Sequence, residues 1–240
     1  MRTTIDFGID LGTTNSAIAL LEGTAPRFFL SATGDVLLPS AVWLDAEGNA
    51  LVGSAARERF ASDPDNTALE FKRSMGTADV RRFAASGQGK RAEELSALVI
   101  GELLGRASRQ SGETPAAAVI TVPAMFQLPQ CEATQKAAKL AGLGHAPLLQ
   151  EPIAAAMAHA GTDELREGIW LVYDLGGGTF DVSLVRSREG RLQVIDHDGD
   201  NHLGGRDFDR VLVRHATERI TSESMLAKLR RADGGTSPGM

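Results

Sequence analysis

Two apolar runs, Thr4–Asp10 and Ser16–Leu21, flank the turn residues Gly12, Thr13 and Thr14. That pattern predicts a β-hairpin. A third strand is expected near Arg27–Leu30, and a short one at Ala41–Leu44 after Pro39. Ser54–Phe60 reads as a short helix stopped before Pro64. Residues 76–91 are rich in Gly, Ala and Arg, and are expected to form a surface loop carrying a short helix. In Arg91–Gln110 the apolar positions Leu95, Leu98, Val99, Leu103 and Leu104 follow a helical period, closed by Ser111-Gly112. Ala117–Val122 reads as a buried strand and Gln130–Ala141 as a helix ended by Gly142. Leu148–Gln150 is extended, and Pro152 suits the first turn of a helix running to about Ala160. Strands follow at Gly168–Asp174, Phe180–Arg186 and Leu192–His197, then a helix at Phe208–Ile220. Hairpins followed by alternating strands and helices place the chain in the α/β class. Met225–Ala232 continues a helical pattern, and Gly234–Met240 reads as a frayed end.

Composition narrows this picture. The 240 residues carry a net charge of −6 without a basic block, so nucleic acid and anionic membranes are not expected partners. The single cysteine, Cys131, excludes an internal disulfide framework and a Cys-only zinc cluster. Ala116–Phe126, the longest nearly apolar stretch, is too short to span a bilayer. Asp6 and Asp10 stand where a signal peptide needs an apolar core. These features predict a soluble, cytoplasmic protein.

One short pattern occurs twice. GIDLGTTNSAIAL (8–20) and VYDLGGGTFDVSLV (172–185) share an apolar residue, Asp, Leu and Gly, then a Gly/Thr turn and an alternating apolar strand. Their separation is too long for a solenoid and suits two related halves facing each other across one cleft. A Gly/Thr turn leaves backbone N–H groups uncovered to cradle phosphate oxygens. Thr hydroxyls add donors. An Asp at the strand end, here Asp10 or Asp174, can hold a hydrated Mg²⁺. Neither a GxGxxG opening a helix nor a GxxxxGK[ST] occurs, so Rossmann and P-loop readings lack support.

These segments, with FKRSMG (71–76), VITVPAMF (119–126), EPIAAAMAHA (151–160) and LGGRDFD (203–209), resemble the heat shock protein 70 (DnaK-type) chaperone family. The match runs from about Ile5 to Ile220. The resemblance implies an actin-like ATPase (ribonuclease H-like) fold, with the first lobe complete and the second partial. It implies Asp10 and Asp174 as carboxylates that organise magnesium waters, with Glu151 in the same network. Gly12, Thr13, Thr14, Gly176, Gly177, Gly178 and Thr179 are implied as phosphate-binding residues. Lys72 is implied as the γ-phosphate lysine, and Asp181 as a nearby acid that also helps bind K⁺. Lys72, Glu151, Asp174 and Thr179 form the implied catalytic set. Pro123 matches a proline of interdomain signalling.

The implied domains are a first lobe over 1–185, with a small inserted upper subdomain at about 39–110, and the start of a second lobe over 186–220. Residues 221–240 form a truncated or frayed tail. The implied activity is ATP binding and hydrolysis in a chaperone that assists protein folding. Implied partners are ATP and ADP, unfolded polypeptides, a J-domain co-chaperone and a nucleotide exchange factor. Cys131 and Pro147 stand where the family has arginines serving interdomain and co-chaperone contacts, and Arg206 where it has an acid. Two alternatives remain: a non-catalytic nucleotide-binding or protein-interaction remnant, and a small-molecule kinase on the actin-like fold. The segments 151–160 and 203–209 match chaperones and argue against the kinase. The cluster Asp196, His197, Asp198, Asp200 and His202 reads as solvated charge, because Asn201 and Asp207 break the calcium-loop pattern.

Overall fold

The computed structural model describes residues 5–160 and 167–219. In chain order the strands are β1 (Phe7–Leu11), β2 (Asn15–Glu22), β3 (Ala25–Phe28), β4 (Leu38–Pro39), β5 (Ala41–Leu44) and β6 (Ala50–Val52). Helix α1 (Ser54–Arg59), β7 (Thr67–Leu69), β8 (Arg81–Arg82), β9 (Gly89–Lys90) and α2 (Ala92–Ser111) follow. Then come β10 (Val119–Val122), α3 (Leu128–Leu140), β11 (Leu148–Gln150) and α4 (Glu151–Ala160). The remainder is β12 (Gly168–Leu175), β13 (Phe180–Arg188), β14 (Arg191–Asp200) and α5 (Gly205–Thr217). Short 3-10 turns lie at Pro64–Asn66 and Phe71–Ser74.

The main sheet has the order β11-β10-β1-β2-β3, with β4 also on β2. The hairpin β1–β2 is antiparallel, whereas β10 joins β1 in parallel, with Ile9 opposite Ile120. A parallel pair must be covered on its faces, and Ile9, Leu11, Ile18 and Ile120 are fully buried. Helix α2 supplies much of the cover: Leu95, Val99, Ile100, Leu103 and Ala107 point into the core at helical spacing. It starts where the Glu94 carboxylate accepts the Arg91 N–H at 2.8 Å, and ends at Gly112 in the left-handed region. A smaller sheet, β6-β5-β7, carries α1.

The antiparallel meander β12-β13-β14 forms its own sheet, with Asp174 directly opposite Asp181. Its inner face is covered in part by α4. Its other face exposes Ile169, Leu171, Tyr173 and Leu175, and α5 exposes Phe208, Val211 and Leu212. Mixed helices and sheets in this order are those of the actin-like ATPase fold expected above.

Three local expectations are corrected. Residues 76–91 form a small hairpin, β8–β9, not a loop with a helix. Its anchor is Phe83, fully buried, and two-residue strands are too short to show a period. The third strand ends at Phe28, because Phe29 turns into the core against Phe7. Helix α5 starts at Gly205, three residues early, since the Asp207 carboxylate accepts the Gly204 N–H at 2.9 Å and caps it there. Ile220 and the tail segments at 225–240 lie outside the described residues.

Candidate functional site

The two Gly/Thr turns face each other across the space between the sheets, and each is tied from behind. In the first, the Ser40 hydroxyl donates to the Gly12 carbonyl at 2.7 Å, and the Ser40 N–H donates to the Thr14 carbonyl at 2.8 Å. Ser16, paired with Ser40 at 2.9 Å, accepts the Gly12 N–H. In the second, the first two amides of α5 perform the same task. Gly205 donates to the Gly176 carbonyl at 3.0 Å, and Arg206 to the Gly177 carbonyl at 3.1 Å. All described peptide bonds are trans, so each tied carbonyl turns the next N–H the opposite way. The Thr13, Gly177 and Gly178 amides therefore face away from their ties. The Gly12 and Gly176 amides are spent within their turns, on Ser16 and on the Thr179 carbonyl.

The turns are in contact. A Cβ at Gly177 would overlap the Thr14 hydroxyl, and one at Gly178 would press on Thr13 and the Arg73 guanidinium. A Cβ at Gly204 would overlap the Gly177–Gly178 peptide. These glycines are required by close approach of backbones.

Between the turns lies a cleft of about 470 Å³. It is lined by Asp10, Gly12, Thr13, Thr14, Lys72, Glu151, Asp174, Gly176, Gly177 and Thr179. Two of the sequence-assigned residues stand apart. Gly178 packs on Arg73, and Asp181 is buried on β13. Lys72, only 6% exposed, reaches Glu151 at 3.0 Å from the 3-10 turn at 71–74, over the Phe126 ring. Asp10 accepts the Thr121 hydroxyl at 2.8 Å.

Burial pushes the Glu151 carboxyl above its ordinary range; Lys72 opposes this, and Asp10 and Asp174 add to it. Asp174 is raised by burial and then by the Asp10 charge. Asp181 is raised by burial and then by Asp174. Three carboxylates, Asp10, Glu151 and Asp174, crowded into one cleft call for a cation. The Thr14 hydroxyl, one Asp181 oxygen and the Ser183 hydroxyl are buried without hydrogen-bond partners among the described residues, so acceptors remain free. Among the described residues no three His, Cys, Asp or Glu side chains are close enough to hold a metal directly. The set fits a hydrated divalent ion that keeps its waters.

Sequence reasoning missed Ser16, Ser40, Thr121, Glu70 and Arg73. Ser40 and Thr121 act through folding partners distant in the chain, and Ser16 acts on Gly12 four residues before it. Glu70 takes the left-handed conformation (φ 55°), for which an ordinary Glu gives no signal. On β14, Asp196, His197, Asp198 and Asp200 lie on an extended strand and build no calcium loop. No helix among the described residues is long and apolar enough to cross a membrane.

The family model described as "Hsp70 protein" matches residues 6–86 and 78–232. The chain is 45% identical over 228 residues to "Chaperone protein HscA homolog" of Bordetella pertussis, covering 87% of this chain and 36% of that relative. It is 40% identical over 223 residues to "Chaperone protein DnaK" of Mycoplasmopsis synoviae, covering 93% of this chain and 37% of that relative. The chain thus spans little more than a third of the length of these curated relatives.

Proposed function

The chain belongs to the Hsp70 family, and we propose that its cleft binds ATP and ADP with Mg²⁺ and hydrolyses ATP as part of a cytoplasmic chaperone. The observation that carries this reading is the contact of the Gly177 turn with Thr14 over a cleft holding Lys72 and three carboxylates. Freed amides at Thr13 and Gly177, with the Thr14 and Thr179 hydroxyls, bind phosphate oxygens. Asp10 and Asp174 would hold a hydrated Mg²⁺ through its waters, and the ion would neutralise phosphate charge. Asp181 and its unpaired oxygen suit a K⁺ beside it.

In hydrolysis, water forms a bond to the γ-phosphorus as the bond to the β–γ bridging oxygen breaks. Glu151 and Asp174 accept hydrogen bonds from that water and orient it, and the proton it gives up ends on the phosphate products. Lys72 places a buried positive charge beside the γ-phosphate oxygens, where it matters most as charge moves in the transition state. Gly12 and Gly176 contribute shape rather than donors, since their amides are spent. In the whole protein, hydrolysis would drive cycles of binding to unfolded polypeptides, served by a J-domain co-chaperone and an exchange factor. Cys131 departs from the family at an interdomain contact and Pro147 at a co-chaperone contact. We take 1–185 as the first lobe, with its insertion at about 39–110, and 186–220 as the start of the second.

Single-turnover hydrolysis beside nucleotide titration tests this. Lys72→Ala is expected to lose at least about 100-fold in hydrolysis and only a few-fold in affinity. An unchanged single-turnover rate would remove Lys72 from the mechanism.

A further inference from the structure

Beside the cleft, on the far side of the Thr14–Gly177 contact, four charged side chains join the two halves in a ring that closes through the Arg206–Asp207 backbone. Arg73, next to the cleft lysine, donates to the Gly178 carbonyl at 2.6 Å. The same guanidinium reaches Asp207 of α5 at 3.3 Å and Glu70 at 3.3 Å. Glu70 in turn pairs with Arg206 of α5. The ring is largely shielded: Glu70 is 14% exposed and Arg73 16%. Its members are tied to the phosphate turn by backbone as well. The Arg206 N–H holds the Gly177 carbonyl, and the Asp207 carboxylate holds the Gly204 N–H. Glu70 sits in the left-handed conformation, which is strained for a non-glycine residue. A surface ion pair would not retain that strain.

Arg210 joins the cluster from α5, pairing with the other Asp207 oxygen at 3.2 Å. Two of the pairs, Glu70–Arg206 and Arg73–Asp207, pass between the halves. Loss of Glu70 therefore leaves Arg206 without its partner next to the phosphate turn. We propose that Glu70, Arg73, Arg206 and Asp207 form a clasp that positions the second phosphate turn against the first and sets how fast a bound nucleotide leaves. These are positioning residues, since none lines the cleft. Arg73 acts on the Gly178 carbonyl, and the Glu70–Arg206 pair holds Arg73 and the start of α5 in place. The link to nucleotide release rests on the function proposed above; the clasp itself does not.

The test is a double-mutant cycle on the full chain with Glu70→Gln, Arg206→Gln and the double variant. The first readout is dissociation of a fluorescent adenosine diphosphate in Mg²⁺, by stopped flow. Each single variant is expected to release it about tenfold faster, and the double no faster than the quicker single. Effects that multiply to about 100-fold, or no change in either single, would overturn the clasp. The second readout needs no nucleotide: hydrogen exchange at the Gly205 and Arg206 amides. Faster exchange in both singles, again without further gain in the double, supports the clasp. Unchanged exchange overturns it. A wild-type chain that binds no nucleotide while the exchange cycle is non-additive would fault the proposed function and keep the clasp.

Discussion

Replacing Lys72 with Ala removes one half of a buried ion pair, and the consequence for stability can be worked from the pair's geometry. At 3.0 Å the attraction between unit charges is about 5–6 kcal/mol for an effective dielectric of ~20. Desolvation of both groups offsets much of that. Removing one partner leaves the other as an uncompensated buried charge, which costs about 3–5 kcal/mol. Glu151 keeps 18% exposure, so water reaches it and the lower end applies, about 3 kcal/mol. For a chain of this size that corresponds to a melting temperature lower by about 6–12 °C. The pH dependence has a definite sign. Burial already raises the Glu151 carboxyl above its ordinary value of 4.5, and loss of Lys72 removes the interactions that oppose this. A raised carboxyl is a penalty felt in full above its folded-state value and absent below its unfolded-state value. The deficit of Lys72→Ala should therefore be greatest at neutral pH and shrink as pH falls toward 4.5. Urea unfolding from pH 4.5 to 7.5 measures it, and Lys72→Ala/Glu151→Gln should recover most of the loss at pH 7. A deficit independent of pH, or a double variant less stable than the single, would refute this account of the pair.

Other perturbations probe the turns and the acids separately. Gly177→Ala sets a methyl group against the Thr14 hydroxyl, so it should weaken magnesium-polyphosphate binding at least about tenfold in calorimetry while costing only about 1 kcal/mol of stability. Asp174→Asn relieves repulsion with Asp10 and Asp181, so the unliganded chain should melt higher at pH 7, and its nucleotide binding should lose Mg²⁺ dependence. Ser40→Ala deletes the hydroxyl shared by Gly12 and Ser16. It should cost about 1–3 kcal/mol in unfolding experiments and quicken amide exchange at Thr13 and Thr14.

The hairpin repeat was legible because it rests on local signals: period-two strands, a Gly/Thr turn, and an Asp at each strand end. Helix α2 was equally legible from its 3.6 period. The ties behind the turns were not. Ser40 is an ordinary loop serine until β4 brings it to Gly12, and the amides of Gly205 and Arg206 meet the second turn only through the fold. Strands β6 and β7, three residues each, are set by pairing to β5 rather than by any pattern of their own. Resemblance supplied Lys72 and Glu151 as separate members of one catalytic set; their ion pair, between residues 79 apart with no local signature, comes from the fold.

The central claim is that the two turns and the carboxylates between them act as one site for a magnesium-bound polyphosphate. Calorimetric titration with tripolyphosphate, with and without Mg²⁺, tests it without any contribution from a base or sugar. The chain should bind at a single site that requires Mg²⁺, and Gly177→Ala and Asp10→Asn should each weaken binding at least about tenfold. Binding of equal strength in both variants, or binding indifferent to Mg²⁺, would contradict it.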